Sequence, residues 1–321
     1  MKRIRLDGTD LAVSQICCGT ATFGADLRGD DLDDFIGVYR DAGGNFFDTA
    51  HCYAFWLAAG AGCSECALGA YLRRNGKGDM VIGTKGGHTG AAGYRVTDHW
   101  LSPARIAADI DDSLGRLGLD VIDLFWLHRD DTRVTPGEVI EALNAEITRG
   151  RIRYLGASNW RADRIAAANA HAAAHGLRGF AANQPEWNLA SKNKGGSDPA
   201  TEKSHGAAML VLDEGDLSWH RETRLPVVPY TSSAGGFFAS NGDKARAAYD
   251  NPVSRRRLAR VQLLASEMKA APGQIATAWL INQGFPVFPI IGTVRQDHMK
   301  EALLAASIRL TPEQLTWLAA G

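Results

Sequence analysis

Eight short apolar runs recur along the chain, each followed by a segment with helical spacing, and this alternation restricts the fold more than any other feature. The runs are SQICCGT at 14–20, NFFDTA at 45–50, MVIGTK at 80–85, VIDLFWLH at 121–128, IRYLGAS at 152–158, GFAANQ at 179–184, LPVVPY at 225–230 and FPVFPIIGT at 285–293. Between them, Ile106, Ile110, Leu114 and Leu117 fall on one helical face behind Ser102 and Pro103 as cap and first-turn residue. Thr135 and Glu138 form a capping-box pattern ahead of Val139, Ile140, Leu143 and Ile147. Leu32, Phe35, Ile36 and Tyr39 line another helix, which Gly43 and Gly44 would end. No Pro/Gly/Ser-rich linker divides the 321 residues. The pattern predicts a single α/β domain over 1–321, a (β/α)8 TIM barrel. The rival is an open doubly wound sheet, but the first βα turn, GTATFG, lacks the GxGxxG spacing that cradles a pyrophosphate.

Charge and composition narrow the partners. Lys plus Arg number 35 against 36 Asp plus Glu, a formal net charge of -1, so no strong field draws nucleic acid or an anionic membrane. A diffusible small molecule is the expected partner, and nothing fixes the oligomeric state. The start, MKRIRLDGTDLAVSQ, has no continuous apolar core, and nowhere do about 18 apolar residues run together. A cytoplasmic protein is expected. The five cysteines, Cys17, Cys18, Cys52, Cys63 and Cys66, are odd in number and crowded together, which does not suit a disulfide framework. His51, Cys52, Cys63 and Cys66 include a CxxC and offer a possible zinc set. Cys63 and Cys66, however, open a helical segment, and small thiols are common packing residues, so no metal is expected.

A parallel barrel carries its chemistry at the C-terminal ends of its strands. Those ends are Asp48, Lys85, His128, Ser158 with Asn159, and Asn183 with Gln184. One polar residue at a strand end is unremarkable, but their recurrence strand after strand marks a site. Asp48 and Lys85 on adjacent strands would pair, since a buried lysine needs a carboxylate to offset its desolvation. Tyr53 follows closely. A phenol titrates near about 10, and an ammonium beside it is expected to lower that value and make a proton donor. His128 would orient a substrate oxygen. Such a group serves an oxygen that gains negative charge as hydride attacks a carbonyl.

These residues sit within an ordered series: GTATFG, FDTA with Tyr53, SECALG, IGTKGG, LGRLGLDVIDLFWLHRDD, GRIRYLGASNW, NQPEWN, PYTSSAGGFF and IIGTVRQDHMKEAL. In that order and over nearly the whole length, the chain resembles the aldo-keto reductases. The resemblance implies a (β/α)8 barrel, a nicotinamide cofactor bound extended without a Rossmann domain, and a tetrad of Asp48, Tyr53, Lys85 and His128. It implies that Tyr53 gives its proton to the substrate carbonyl, that Lys85 lowers its pKa, that Asp48 holds Lys85 and that His128 positions the carbonyl. Ser158, Asn159 and Gln184 match the residues that bind the nicotinamide carboxamide, and Tyr230 the aromatic that stacks on its ring. Gly19 and Thr20 of the first turn join the implied cofactor site.

The phosphate-binding segments match less closely. Thr231, Ser233 and Gly235 belong to a loop in which Ser232 and Ser233 replace the family's usual proline and leucine. Gly292, Thr293 and Arg295 are placed to meet the adenosine phosphates. His298 and Ala302 stand where many NADP-dependent members carry arginine and asparagine, and a histidine does not reproduce arginine's fork. NADPH is the expected cofactor, with NADH or dual use as the alternative. AFWLAAGAGC lengthens the connection after Tyr53, and Phe55 and Trp56 within it, with Phe23, Trp160 and Trp187 from elsewhere, are expected to line an aromatic substrate pocket for a sugar-like, ring or aryl carbonyl. A polar loop at 189–206 is expected beside the cofactor mouth, where it would act as a lid. The main reading is an NAD(P)H-dependent oxidoreductase reducing an aldehyde or ketone. The alternatives are a cofactor-sensing regulatory subunit with slow turnover and, more remotely, a zinc-dependent hydrolase on the same barrel.

Overall fold

A computed structural model describes residues 1–89, 99–193, 209–239 and 242–320. The chain opens with an antiparallel hairpin, β1 (Arg3–Arg5) and β2 (Ala12–Ser14). Seven parallel strands follow: β3 (Cys17–Gly19), β4 (Phe46–Asp48), β5 (Val81–Gly86), β6 (Ile122–Leu127), β7 (Ile152–Ser158), β8 (Phe180–Gln184) and β9 (Ile290–Ile291). Their order in the sheet is β8-β7-β6-β5-β4-β3-β9. The space between β8 and β9 is filled by the run at 225–230. There Val227 bridges Asn183 on one side and Val287 on the other, and the wall closes into a (β/α)8 barrel.

That eighth position corrects the expectation of a regular strand over 225–230. Val228 N donates to Asn183 O at 2.8 Å and Phe288 N to Val227 O at 2.8 Å, but Pro226, Pro229, Pro286 and Pro289 have no N–H to give. The ladder is therefore reduced to isolated bridges.

Helices α1 (Gly29–Asp41), α2 (Cys63–Asn75), α3 (Pro103–Leu117), α4 (Pro136–Thr148), α5 (Ala162–Ala174), α6 (Glu214–Thr223), α7 (Asp243–Tyr249), α8 (Pro252–Met268), α9 (Pro272–Ile281), α10 (Gln296–Leu304) and α11 (Pro312–Ala319) complete the described elements. The capping box of α4 forms as its sequence predicts: Glu138 N donates to Thr135 Oγ1 at 3.3 Å and Thr135 N to Glu138 Oε2 at 2.9 Å. Ser102 sits at the N-cap of α3 with Pro103 in the first turn, but its hydroxyl makes no capping bond.

Strand alternation separates two apolar layers. Phe47, Ile82 and Cys18 join the cluster shared with the helices, while Cys17, Phe46, Val81, Leu124, Trp126 and Ala182 fill the barrel interior. Leu6, Leu11 and Val13 of the hairpin pack into the same interior cluster and plug the end from which the strands start. Trp126 occupies its place because two neighbouring strands have glycine there. A Cβ on Gly156 would lie 2.1 Å from its ring, and one on Gly83 2.8 Å from its Nε1. Above this plug the inward-facing positions become polar, and the site begins.

Of the polar stretch at 189–206, the first residues are anchored: Lys192 pairs with Glu186 at 2.6 Å and Asn193 N donates to Ala248 O at 2.8 Å. The rest of the expected lid, 194–206, lies outside the described residues.

Candidate active site

Asp48, Lys85 and His128 continue the inward-facing series of their strands, two residues beyond Phe46, Gly83 and Trp126 respectively. Parity thus delivers all three to the same mouth. Lys85 Nζ donates to Asp48 Oδ2 at 2.6 Å, to Tyr53 Oη at 2.7 Å and to Thr49 O at 2.8 Å. A buried ammonium thereby has three acceptors, one of them charged, which meets the requirement for keeping such a group inside. Asp48 also accepts from Tyr53 Oη at 3.2 Å and, through its other oxygen, from Gln184 Nε2 at 2.8 Å. Tyr53, half-buried, is held from both sides.

The electrostatics correct one expectation. Burial, with the Asp48 carboxylate as the second cause, holds the Tyr53 phenol well above its ordinary value. Lys85 does not bring it into the neutral range. Burial also pulls the Lys85 ammonium below its usual value, against the attraction of Asp48. The phenol is a neutral donor at rest.

His128 is buried and its ring stands edge-on to Tyr53, with centroids 5.9 Å apart. Burial lowers its pKa well below the ordinary histidine value, and that of the adjoining His88 to about 3, so both rings are neutral near pH 7. Cys52 Sγ lies 3.4 Å from His128 Nδ1, and burial pushes that thiol up to about 12. With the thiol donating to Nδ1, a neutral His128 carries its ring hydrogen on Nε2.

A cleft of about 370 Å³ opens over these groups. Gly19, Thr20, Asp48, Tyr53, His128, Ser158, Asn159, Gln184, Tyr230, Thr231, Ser233, Gly235 and Gly292 all line it. Ser158 Oγ donates to Gln184 O at 2.7 Å, and Asn159 Nδ2 to His128 O at 3.1 Å, while Asn159 Oδ1 accepts from Tyr230 Oη at 2.7 Å. The amides and hydroxyls are thus fixed by one another. Backbone strain is concentrated here too. Of the six non-glycine residues with positive φ among the described residues, Ala54, Asn159, Thr231 and Ala234 stand at or beside the cleft, and a β-branched residue such as Thr231 adopts φ 52° only under constraint.

One wall of the cleft exposes backbone. A Cβ on Gly292 would meet nothing within 4 Å and would project into open space, so the missing side chain leaves backbone accessible to a ligand. Gly19 has a different reason to be small, because a Cβ there would lie 2.7 Å from Ile290 Cγ2. Thr20 is likewise committed inward: its hydroxyl donates to Asp48 O at 3.0 Å.

Other expected residues lie apart from this cleft. Arg295 Nη2 pairs with Asp297 at 2.5 Å, Thr293 Oγ1 accepts from Arg295 N at 3.1 Å, and His298 is exposed on α10, beyond the cleft-lining Gly292. Phe23 and Trp160 are corrected from pocket lining to packing. Phe23 is buried edge-on against Phe35 at 5.8 Å, and Trp160 is buried against Phe180 at 5.2 Å, each on a helix-facing side of the wall. Trp187 also packs, against Trp279 and Phe285. Phe55 and Trp56 remain at the rim, 39% and 52% exposed, with Trp56 edge-on to Tyr53 at 6.3 Å. Glycine supports their extension: Gly62, at φ 83°, leaves room for the Arg116 guanidinium, which donates to His51 O at 2.9 Å and Glu65 Oε2 at 3.1 Å.

The possible zinc set does not converge. His51 Nε2 lies 3.0 Å from Asp112, the Cys63 thiol donates to Phe23 O at 3.2 Å, and only Cys52 faces the cleft's histidine. Two residues were missed in the sequence. His88 stacks obliquely on Phe55 at 5.4 Å, and Arg129 lines the cleft while donating to His128 O at 3.0 Å. The signal for Arg129 was available, since it directly follows the strand-end His128.

Comparison with known proteins places this geometry in a class. The model of the aldo/keto reductase family matches residues 15–320, and the chain belongs to that family. It is an oxidoreductase acting on carbonyl groups with a nicotinamide cofactor. It is 30% identical to norsolorinic acid reductase B of Aspergillus parasiticus, over 95% of this chain and 80% of the relative. It is 27% identical to the aldo-keto reductase ausK of Aspergillus calidoustus, over 98% and 80%, and 26% identical to probable aldo-keto reductase 1 of Glycine max, over 93% and 82%. Among the described residues no helix is long and apolar enough to cross a membrane.

Proposed function

We propose that the chain reduces an aldehyde or ketone to an alcohol with Tyr53 as proton donor, and that NADPH is its preferred cofactor. The observation carrying this reading is Lys85 Nζ, held 2.6 Å from Asp48 and 2.7 Å from Tyr53 Oη, two residues that line the cleft. A nicotinamide bound there supplies hydride. Tyr53 stays protonated until the carbonyl oxygen gains charge, then rotates its hydrogen from Asp48 to that oxygen. Lys85 stabilises the phenolate left behind, and Asp48 keeps Lys85 aligned. The resting phenol's raised pKa suits this order of events, because its proton leaves only for a strongly basic alkoxide. His128, neutral with hydrogen on Nε2, donates to the carbonyl oxygen and fixes its approach.

Ser158, Asn159, Gln184 and Tyr230 hold the nicotinamide end, while Thr231, Ser233, Gly235 and Gly292 present the wall to the phosphates. Thr293 and Arg295 support NADPH over NADH, and His298 in place of arginine weakens that preference. Phe55 and Trp56 form the substrate rim, which favours an aryl or ring carbonyl, or a sugar whose apolar face stacks on them. A relative named as a norsolorinic acid reductase supports a reductive role. We assign the catalytic unit to one domain spanning the chain. Five unpaired cysteines suit a reducing compartment such as the cytoplasm.

The test is a fluorescence titration with NADPH and NADH, followed by cofactor consumption across aryl aldehydes, ring ketones and sugars. Tight NADPH binding with rapid consumption for an aromatic or ring carbonyl is expected. Failure to bind either cofactor contradicts the reading.

A further inference from the structure

Beside the Asp48–Lys85–Tyr53 chain, the thiol of Cys52 and the rings of His88 and His128 bring three metal-binding atoms within 4.8 Å of one another. Cys52 Sγ is 3.4 Å from His128 Nδ1, and the two imidazole rings are 4.7 Å apart and inclined at 68°. Zinc bonds of about 2.3 Å to sulfur and about 2.0–2.1 Å to nitrogen, at tetrahedral angles, put such donors roughly 3.3–3.6 Å apart. One edge of the polyhedron is therefore already at length. Closing the others asks the His88 ring to move by no more than about 1.5 Å by the same geometry. His88 is half-buried, against two buried partners.

We propose that Cys52, His88 and His128 form an open three-ligand site for a thiophilic divalent cation, with Zn2+ as the ion, and that filling it arrests carbonyl reduction. Two neutral imidazoles and one thiol make a donor set matched to zinc, with a fourth position left for water. On binding, the cation displaces the Cys52 thiol proton to solvent, and the sulfur–metal bond replaces the sulfur–hydrogen bond. The field around the cluster is mixed. Lys85 and Arg129 oppose an incoming cation at Cys52, whereas Glu65 and Asp109 attract it. The binding claim stands on this geometry alone. The arrest rests on the proposed role of His128: a cation on its ring, with the water in its fourth position, would take the place beside that ring that the substrate oxygen needs.

This site shares only Cys52 with the set that cysteine spacing suggests. The CxxC of Cys63 and Cys66 plays no part, which gives the test its internal control.

The full chain, stripped with chelator, is titrated with Co2+ as a spectroscopic stand-in for Zn2+. A saturable thiolate-to-cobalt charge-transfer band at one equivalent is expected, with displacement by one equivalent of Zn2+. Cys52→Ser should abolish the band, His88→Gln should weaken cobalt binding at least about tenfold, and Cys63→Ser/Cys66→Ser should leave it intact. In parallel, Zn2+ should inhibit turnover of the unaltered chain, while Cys52→Ser, referred to its own zinc-free rate, should lose that sensitivity. Absence of the band, or its survival in Cys52→Ser, overturns the site. A normal cobalt site without zinc inhibition overturns the arrest and, with it, the assigned part of His128.

Discussion

Strands β5, β6 and β7 run six, six and seven residues and pair in ladders, whereas the wall at 225–230 touches its neighbours through isolated bridges at Val227 and Tyr230. The regular half carries Lys85 and His128, with Asp48 on the adjoining β4. The irregular half carries Tyr230, Thr231, Ser233 and Gly235, and Gly292 follows β9. The difference follows from what each half must hold. Proton transfer depends on fixed separations of a few tenths of an ångström among charged atoms, and continuous ladders over a packed Trp126 layer supply that rigidity. The proposed nucleotide site would instead need an accessible backbone, and Pro226, Pro229, Pro286 and Pro289 interrupt the ladder ahead of the turn at 231–233. Strained residues such as Thr231 mark where the surrounding structure enforces that turn.

The largest expected effect comes from removing a charge in the regular half. Lys85→Met leaves Asp48 buried without its cation, and should lower unfolding stability by about 3–5 kcal/mol as well as suppress turnover. Denaturant midpoints of the variant and of Asp48→Asn/Lys85→Met check it: the double variant should recover part of the loss, and an unchanged midpoint in the single variant would break the contrast. A smaller effect separates the halves directly. Amides of β5 to β7 should exchange hydrogen at least about tenfold more slowly than those at 225–230, the factor given by about 1.4 kcal/mol of additional local stability. Equal protection would show that the isolated bridges are as firm as the ladders.

Much of this arrangement was legible in the sequence because strand parity is strict. Asp48, Lys85 and His128 stand at strand ends, two places past inward-facing residues, and two-residue periodicity carries them to one mouth. The barrel was equally readable from alternating runs, although the prolines of LPVVPY already argued against a regular strand. Aromatic residues were less legible. Phe23 and Trp160 follow strand ends as Phe55 and Trp56 follow Tyr53, and spacing alone does not tell a side chain that turns back under a helix from one that faces the cleft. The direction of the Tyr53 shift was misread for a physical reason. Sequence shows that an ammonium is near, but not that burial and a second carboxylate contact outweigh it. His88 was missed because its partners, Cys52 and His128, come from two other connections of the barrel and meet only in three dimensions.

Single-turnover reduction by Tyr53→Phe, with NADPH affinity measured on the same sample, tests the proposed proton donor most directly. The variant should bind NADPH as the unaltered chain does and transfer hydride about 10²–10⁴-fold more slowly. Near-normal transfer with intact cofactor binding would contradict the assignment of the acid.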